Sequence, residues 1–175
     1  MTMVSDILVM LLLLTNLRLL ASSRLAACIQ TVAIQAVILG LIPVTALFDR
    51  LTLELVALSL STMVVKGLVL PWLLRRATRE AGVQREIEPL VGFTLSVLIG
   101  AVLLGLCFVI SAQLRQSAPP GTALLIPGAM FTILTGLFLI VSRRKALTQV
   151  LGYLAMENGV YAFGAALAVE APLLV

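Results

Sequence analysis

The chain has 175 residues and a formal net charge of +4, with 61% hydrophobic and only 11% charged residues, and its mean hydropathy is +1.17. A soluble domain is about 45–50% apolar and roughly 25% charged, so a soluble enzyme, a disordered chain and a disulfide scaffold are disfavoured and a polytopic membrane protein is expected. The absence of histidine excludes bis-histidine haem, His-based zinc sites and a Ser-His-Asp triad, and the placement of the basic residues in loops gives the positive charge a meaning other than nucleic acid.

Crossing a bilayer core takes about 20 apolar helical residues, and six runs qualify as predicted spans. The first, 2–21, is uninterrupted only from Ile7 to Leu14, and its Arg18 must snorkel to the interface. A cleaved signal peptide is the alternative there, but the early charge is Asp6 rather than a basic n-region. Ser22-Ser23-Arg24 separates it from 26–47, where Thr31 and Gln35 read as helix–helix glue. After Asp49-Arg50 comes 51–74, which holds Lys66 on a face with Ser59 and Thr62. This lysine either snorkels toward the cytoplasmic side or pairs with a carboxylate in this chain or a partner. Residues 75–89 read as a solvated cytoplasmic loop and a candidate docking surface.

The fourth run, 90–112, carries Gly92, Ser96 and Gly100, a small-xxx-small packing face. The fifth, 121–141, follows Ser117–Gly121 and contains Thr132 and Thr135, again read as glue. Arg143-Arg144-Lys145 precedes the sixth, 146–169. The chain ends Ala-Pro-Leu-Leu-Val, which reads as the start of a seventh span and suggests that the sequence stops short. Cys28 and Cys107 lie in apolar runs without a CxxC and read as small core hydrophobes. The expected fold is therefore an all-α transmembrane bundle; the runs do not alternate as β-barrel strands do.

Basic residues set the orientation. Six spans place Arg18, Arg24, Arg75, Arg76, Arg79, Arg85, Arg143, Arg144 and Lys145 on one side, and Arg50 and Arg115 on the other. The richer side is cytoplasmic and the N-terminus is outside. An offset of 119 residues aligns Ser23–Gly40 with Ser142–Gly159, with identities at Ser23, Arg24, Ala27, Gln30, Ala36 and Gly40. This weak internal repeat suggests a duplicated helical unit of the kind transporter-like folds use.

Function is sought among ionisable groups at membrane depth, each of which costs ~2.5–3.5 kcal/mol on insertion scales. Glu157 is central in the sixth span, and Gln149, Tyr153, Glu157 and Tyr161 recur every four residues on one helical face. The opposite face carries Gly152, Ala155, Gly159, Ala162 and Ala166, small enough to admit another helix. A carboxyl retained at that depth is a candidate for accepting and returning a proton. The expected relay is Glu157 and Lys66, with Tyr153, Tyr161, Gln149 and Asn158 beside them. In the bland alternative, Glu157 and Asn158 only hydrogen-bond to neighbouring helices.

The stretch from Ser142 to Gly159 resembles the second-helix region of the K subunit of respiratory complex I: a basic pair, then a helix with a Gly-Leu-Glu core and a following Asn. Over essentially its whole length the chain resembles the hydrogenase 4 E-component family of formate hydrogenlyase-type complexes, most specifically at Gly152–Gly159. Leu154 falls where the K-subunit carboxylate belongs, and Glu157 lies one turn later. The relay role is carried to Glu157 by that displacement. The second K-subunit carboxylate would fall in the missing seventh span. The resemblance implies a subunit of a bacterial inner-membrane complex with no cofactor of its own. Its partners would be antiporter-like subunits, a subunit like the H subunit of complex I, and a peripheral arm carrying NiFe and iron–sulfur centres. It implies coupling of hydrogen metabolism to movement of H⁺, with Na⁺ as the other ion. A scaffold without ion conduction and the C component of multisubunit cation/proton antiporters are the alternatives.

Overall fold

A computed structural model of the chain describes residues 2–46, 53–82, 89–112 and 124–170. They form helices α1 (Thr2–Ala21), α2 (Leu25–Ala46), α3 (Leu53–Val64), α4 (Leu70–Glu80), α5 (Phe93–Ile110), α6 (Leu125–Ser142) and α7 (Ala146–Glu170), with a π-helical turn, Val65–Val69, joining α3 to α4. Asp49-Arg50, Arg85, Arg115, the Ser117–Gly121 break and the apolar tail 171–175 lie outside the described residues.

Four of these helices are long and apolar enough to cross a membrane: α1, α2, α5 and α6. The other two runs of the sequence differ for visible reasons. In α7 the polar residues Gln149, Tyr153, Glu157, Asn158 and Tyr161 dilute an otherwise apolar helix of 25 residues. The third run is a single rod in two α-helical parts. Pro71 has no N–H, and its ring would collide with the carbonyl four residues back, that of Gly67. The chain widens there into a π turn, in which Leu70 N–H donates to Val65 O.

The rod also runs past the expected end of its span. Residues 75–80, expected to begin a loop, complete α4, because Leu74 packs on the core while Arg75, Arg76 and Arg79 turn outward. Gly82, at φ 64°, then ends it: a left-handed residue just past the last turn is what glycine tolerates.

Helices α1, α2, α7 and α6 contact one another in a ring, with the largest interface between α6 and α7. The α3–α4 rod lies against α2, and α5 lies against α1 and α6. The ring encloses two apolar clusters. One contains Leu19, Leu20, Leu25, Ile29, Phe131, Leu139 and Leu151. The other contains Val9, Leu12, Ile38, Ile42, Leu125, Ile126 and Ala166. Cys28 and Cys107 are free thiols packed in the first.

Arg143 corrects the sequence reading. Counted there among loop charges, it is 1% exposed. Its guanidinium donates to Val91 O (3.1 Å), Leu20 O (3.0 Å) and Ser96 Oγ (3.4 Å), and it lies 4.5 Å from the Phe93 ring centroid. Five fixed N–H donors let an arginine collect the carbonyls that helix ends leave over. Arg143 thus ties the end of α1, the start of α5 and the α6–α7 turn together. Arg24, which the 119-residue offset aligns with it, is exposed, so the two arginines have different surroundings. All described basic residues except Lys66 gather toward this one end, since Leu74, the α1–α2 turn and the α6–α7 turn pack on the same cluster.

Candidate functional site

Between the two apolar clusters each ring helix contributes a polar side chain. Asn16 comes from α1, Gln35 from α2, Thr132 and Thr135 from α6, and Asn158 from α7, none of them more than 1% exposed. On α1, α2 and α7 the apolar core residues of one cluster precede this position and those of the other follow it, and on α6 the change falls between Ala129 and Phe131. The result is a polar layer across the middle of the bundle. Asn16 Nδ2 donates to Thr132 Oγ1 (2.7 Å), and Gln35 Nε2 donates to Asn16 Oδ1 (2.8 Å) and Thr15 Oγ1 (3.2 Å). Thr132 Oγ1 in turn donates to Gly128 O (2.7 Å). Three further atoms of this layer, Gln35 Oε1, Thr135 Oγ1 and Asn158 Nδ2, are buried without a hydrogen-bond partner among the described residues. Gln35 and Thr132 do serve as glue between helices. Asn16 was missed; the signal was a lone amide inside an apolar run.

The charged pair lies at the same level, beside Asn158. Lys66 Nζ is 2.9 Å from Glu157 Oε1, with the lysine side chain 17% and the glutamate 42% exposed. The same ammonium lies 6.0 Å from the Tyr161 ring centroid, the outer limit of a cation–π contact. Lys66 is the second residue of the π turn. That turn packs on α2, where Gly67 comes close to Val37 and the Ala33 carbonyl. The pair therefore reaches across α2 from the rod to α7. Of the two readings of Lys66, the structure takes pairing within the chain over snorkelling.

The four-residue stripe of α7 does not converge on one place. Glu157 and Tyr161 meet Lys66. Tyr153 is 54% exposed, and Gln149 Nε2 donates to Arg143 O (3.0 Å), closing the turn before α7. A straight helix drifts from an exact four-residue repeat, so a stripe of that length wraps away from any single partner.

The small-residue face meets α6 at backbone distance. A Cβ on Gly159 would lie 2.6 Å from Ile133 N, and one on Gly152 would lie 2.9 Å from Gly136 O. A Cβ on Gly136 would run into Met156 N. Ala155 and Ala162 are fully buried beside them. In α5, Ser96 and Gly100 are buried, the latter against Leu20. Gly92 instead precedes the helix, and a Cβ there would meet nothing within 4 Å, so it is not part of the packed face. No group of three or more metal-ligating side chains occurs among the described residues.

The chain is similar to the uncharacterized protein Rv0085 of Mycobacterium tuberculosis, with 34% identity over 152 residues, 86% of this chain and 69% of that one. It is also similar to hydrogenase-4 component E of Escherichia coli K12 and of Shigella flexneri, each 31% identical over 122 residues. Those matches cover 70% of this chain and 56% of the relatives, so the chain spans little more than half their length. No family model and no solved structure matches.

Proposed function

Because the chain belongs to the family of the mycobacterial protein Rv0085 and is similar to hydrogenase-4 component E, we propose that it is a membrane subunit of a hydrogenase complex that helps move protons as hydrogen is metabolised. The relay is the Lys66–Glu157 pair. The proton binds to and leaves Glu157, and Lys66 holds the carboxylate while it is charged. Tyr161 flanks the ammonium. The polar layer behind Asn158 continues the path into the bundle, where amides and hydroxyls can pass hydrogen bonds on. Gln149 and Tyr153, which point elsewhere, have at most an indirect part.

The observation that supports this most is the 2.9 Å contact between Nζ and Oε1 at the level of the polar layer. Ionisable groups at that depth are costly and pair with one another where ions move. The 42% exposure of the glutamate leaves it open to a neighbouring subunit. In this reading six spans cross the inner membrane, the arginine-rich end is cytoplasmic, and the redox centres belong to partners. The antiporter-like and H-like membrane subunits are the partners that the family resemblance suggests.

The test uses the assembled complex in inverted vesicles. Glu157→Gln should reduce the hydrogen-coupled pH gradient by about tenfold or more while the amount of complex is unchanged. An undiminished gradient sinks the relay, and a gradient that follows Na⁺ instead of H⁺ reassigns the ion. The scaffold reading draws on the α6–α7 seam. It wins if Gly159→Leu prevents assembly while Glu157→Gln is silent.

A further inference from the structure

The α3–α4 rod carries a groove of about 650 Å³ lined by Gly67, Leu68, Val69, Pro71, Trp72 and Arg75, a size in the range of small-molecule sites, ~300–1,000 Å³. Its apolar wall is open, with Leu68 67%, Trp72 59% and Val69 43% exposed. At 1.5 Å per residue, the rod from Leu53 to Trp72 spans ~30 Å, the thickness of a hydrocarbon core. Trp72 therefore falls at the membrane interface, where indoles settle. Arg75 stands one turn beyond, at the depth of lipid phosphates.

The three arginines of α4 are not equivalent. The Arg76 guanidinium is held by Glu80 (2.8 Å), and Arg79 is not among the groove residues. Arg75 has no ion pair among the described residues and lines the groove mouth. One cation above an apolar slot matches an amphiphile with one phosphate and a hydrocarbon tail, and guanidinium binds phosphate oxygens two at a time.

We propose that this groove binds an anionic phospholipid of the cytoplasmic leaflet, its phosphate on Arg75 and an acyl chain along Leu68, Val69 and Trp72. The leaflet rests on the six-span reading; the lipid chemistry rests on the groove. The lipid would lie against the π turn that carries Lys66 and so brace the relay from outside.

Trp72 is the chain's single tryptophan, which makes it a built-in reporter. The full chain is reconstituted into phosphatidylcholine vesicles containing a minor fraction of lipid with brominated acyl chains. Brominated phosphatidylglycerol should quench Trp72 at a mole fraction about fivefold lower than brominated phosphatidylcholine, the worth of one arginine near a charged surface. Arg75→Gln should abolish that preference, and Arg76→Gln should preserve it. Equal quenching by the two lipids, or a preference that survives Arg75→Gln, overturns the site. Relief of quenching by excess inorganic phosphate also overturns it, since the groove would then be a free-anion site. Separately, a cysteine at Arg79 (Arg79→Cys) should react with impermeant thiol reagents only from the cytoplasmic face. Reaction from outside overturns the leaflet and the six-span reading, whatever the quenching shows.

Discussion

Two of the contacts of helix α7 are of opposite kind. Along α6 it has glycines and alanines, and backbone meets backbone at Gly136, Gly152 and Gly159. Toward the α3–α4 rod it has Glu157 and Tyr161, reaching a lysine through long side chains. The first seam has no conformational freedom, since no rotamer can relieve a backbone collision. The second has several torsions on each side and a carboxylate 42% exposed. A helix fixed on one face can hold a side chain at constant depth while the side chain itself rearranges, and the proposed relay would use that combination.

The contrast is broken most severely at the seam. Gly136→Leu would push a side chain into Met156 N and the Gly152 carbonyl, atoms that cannot yield without moving a helix. We expect a loss above the ~1–3 kcal/mol of ordinary overpacking, seen as failure to recover folded protein in detergent. Arg143→Met comes next. It removes the donors to Val91 O, Leu20 O and Ser96 Oγ, for about 3 kcal/mol, read as a lower unfolding temperature. Arg143→Lys should restore only part of it, because one ammonium cannot span three acceptors set for a guanidinium.

The ionic contact should respond differently. Lys66→Met leaves Glu157 without its cation, at about 1–2 kcal/mol, less than for a fully buried pair because the carboxylate is 42% exposed. Adding Glu157→Gln should recover most of that stability, as the second change removes the stranded charge. Coupling of hydrogen metabolism to the gradient should stay lost in both variants. A double variant that regains coupling would show that the pair is structural.

Much of this was legible in the sequence, because membrane spans obey length and hydropathy. The bounds of α1 and the central place of Glu157 in α7 follow from apolar length, and the small face of α7 from its three- and four-residue spacing. What sequence could not supply was the partner of Lys66, since Lys66 and Glu157 are far apart in the chain and meet only because the rod leans over α2. The π turn was hidden as well, although Pro71 is its cause. Charge counting went astray at Arg143, because a basic residue beside a turn looks the same whether it faces water or three carbonyls. Four-residue spacing over-gathered Gln149 and Tyr153 into one stripe.

The polar layer offers the smallest effect and the sharpest comparison with the charged pair. Asn16→Leu deletes the donor to Thr132 and the acceptor for Gln35. Interhelical hydrogen bonds in membranes average about 0.6 kcal/mol and reach about 1.7, so the loss of stability should fall in that range. Gln35→Leu should cost a similar amount, and the double variant should cost less than the sum because the two side chains share a bond. Differential scanning fluorimetry of the three variants in one detergent checks this. If the layer also extends the relay, Gln35→Leu and Asn16→Leu each lower the gradient, since each removes a hydrogen bond of the layer. If both variants lose stability alone, the layer only holds the ring together and the relay is confined to the pair at its edge.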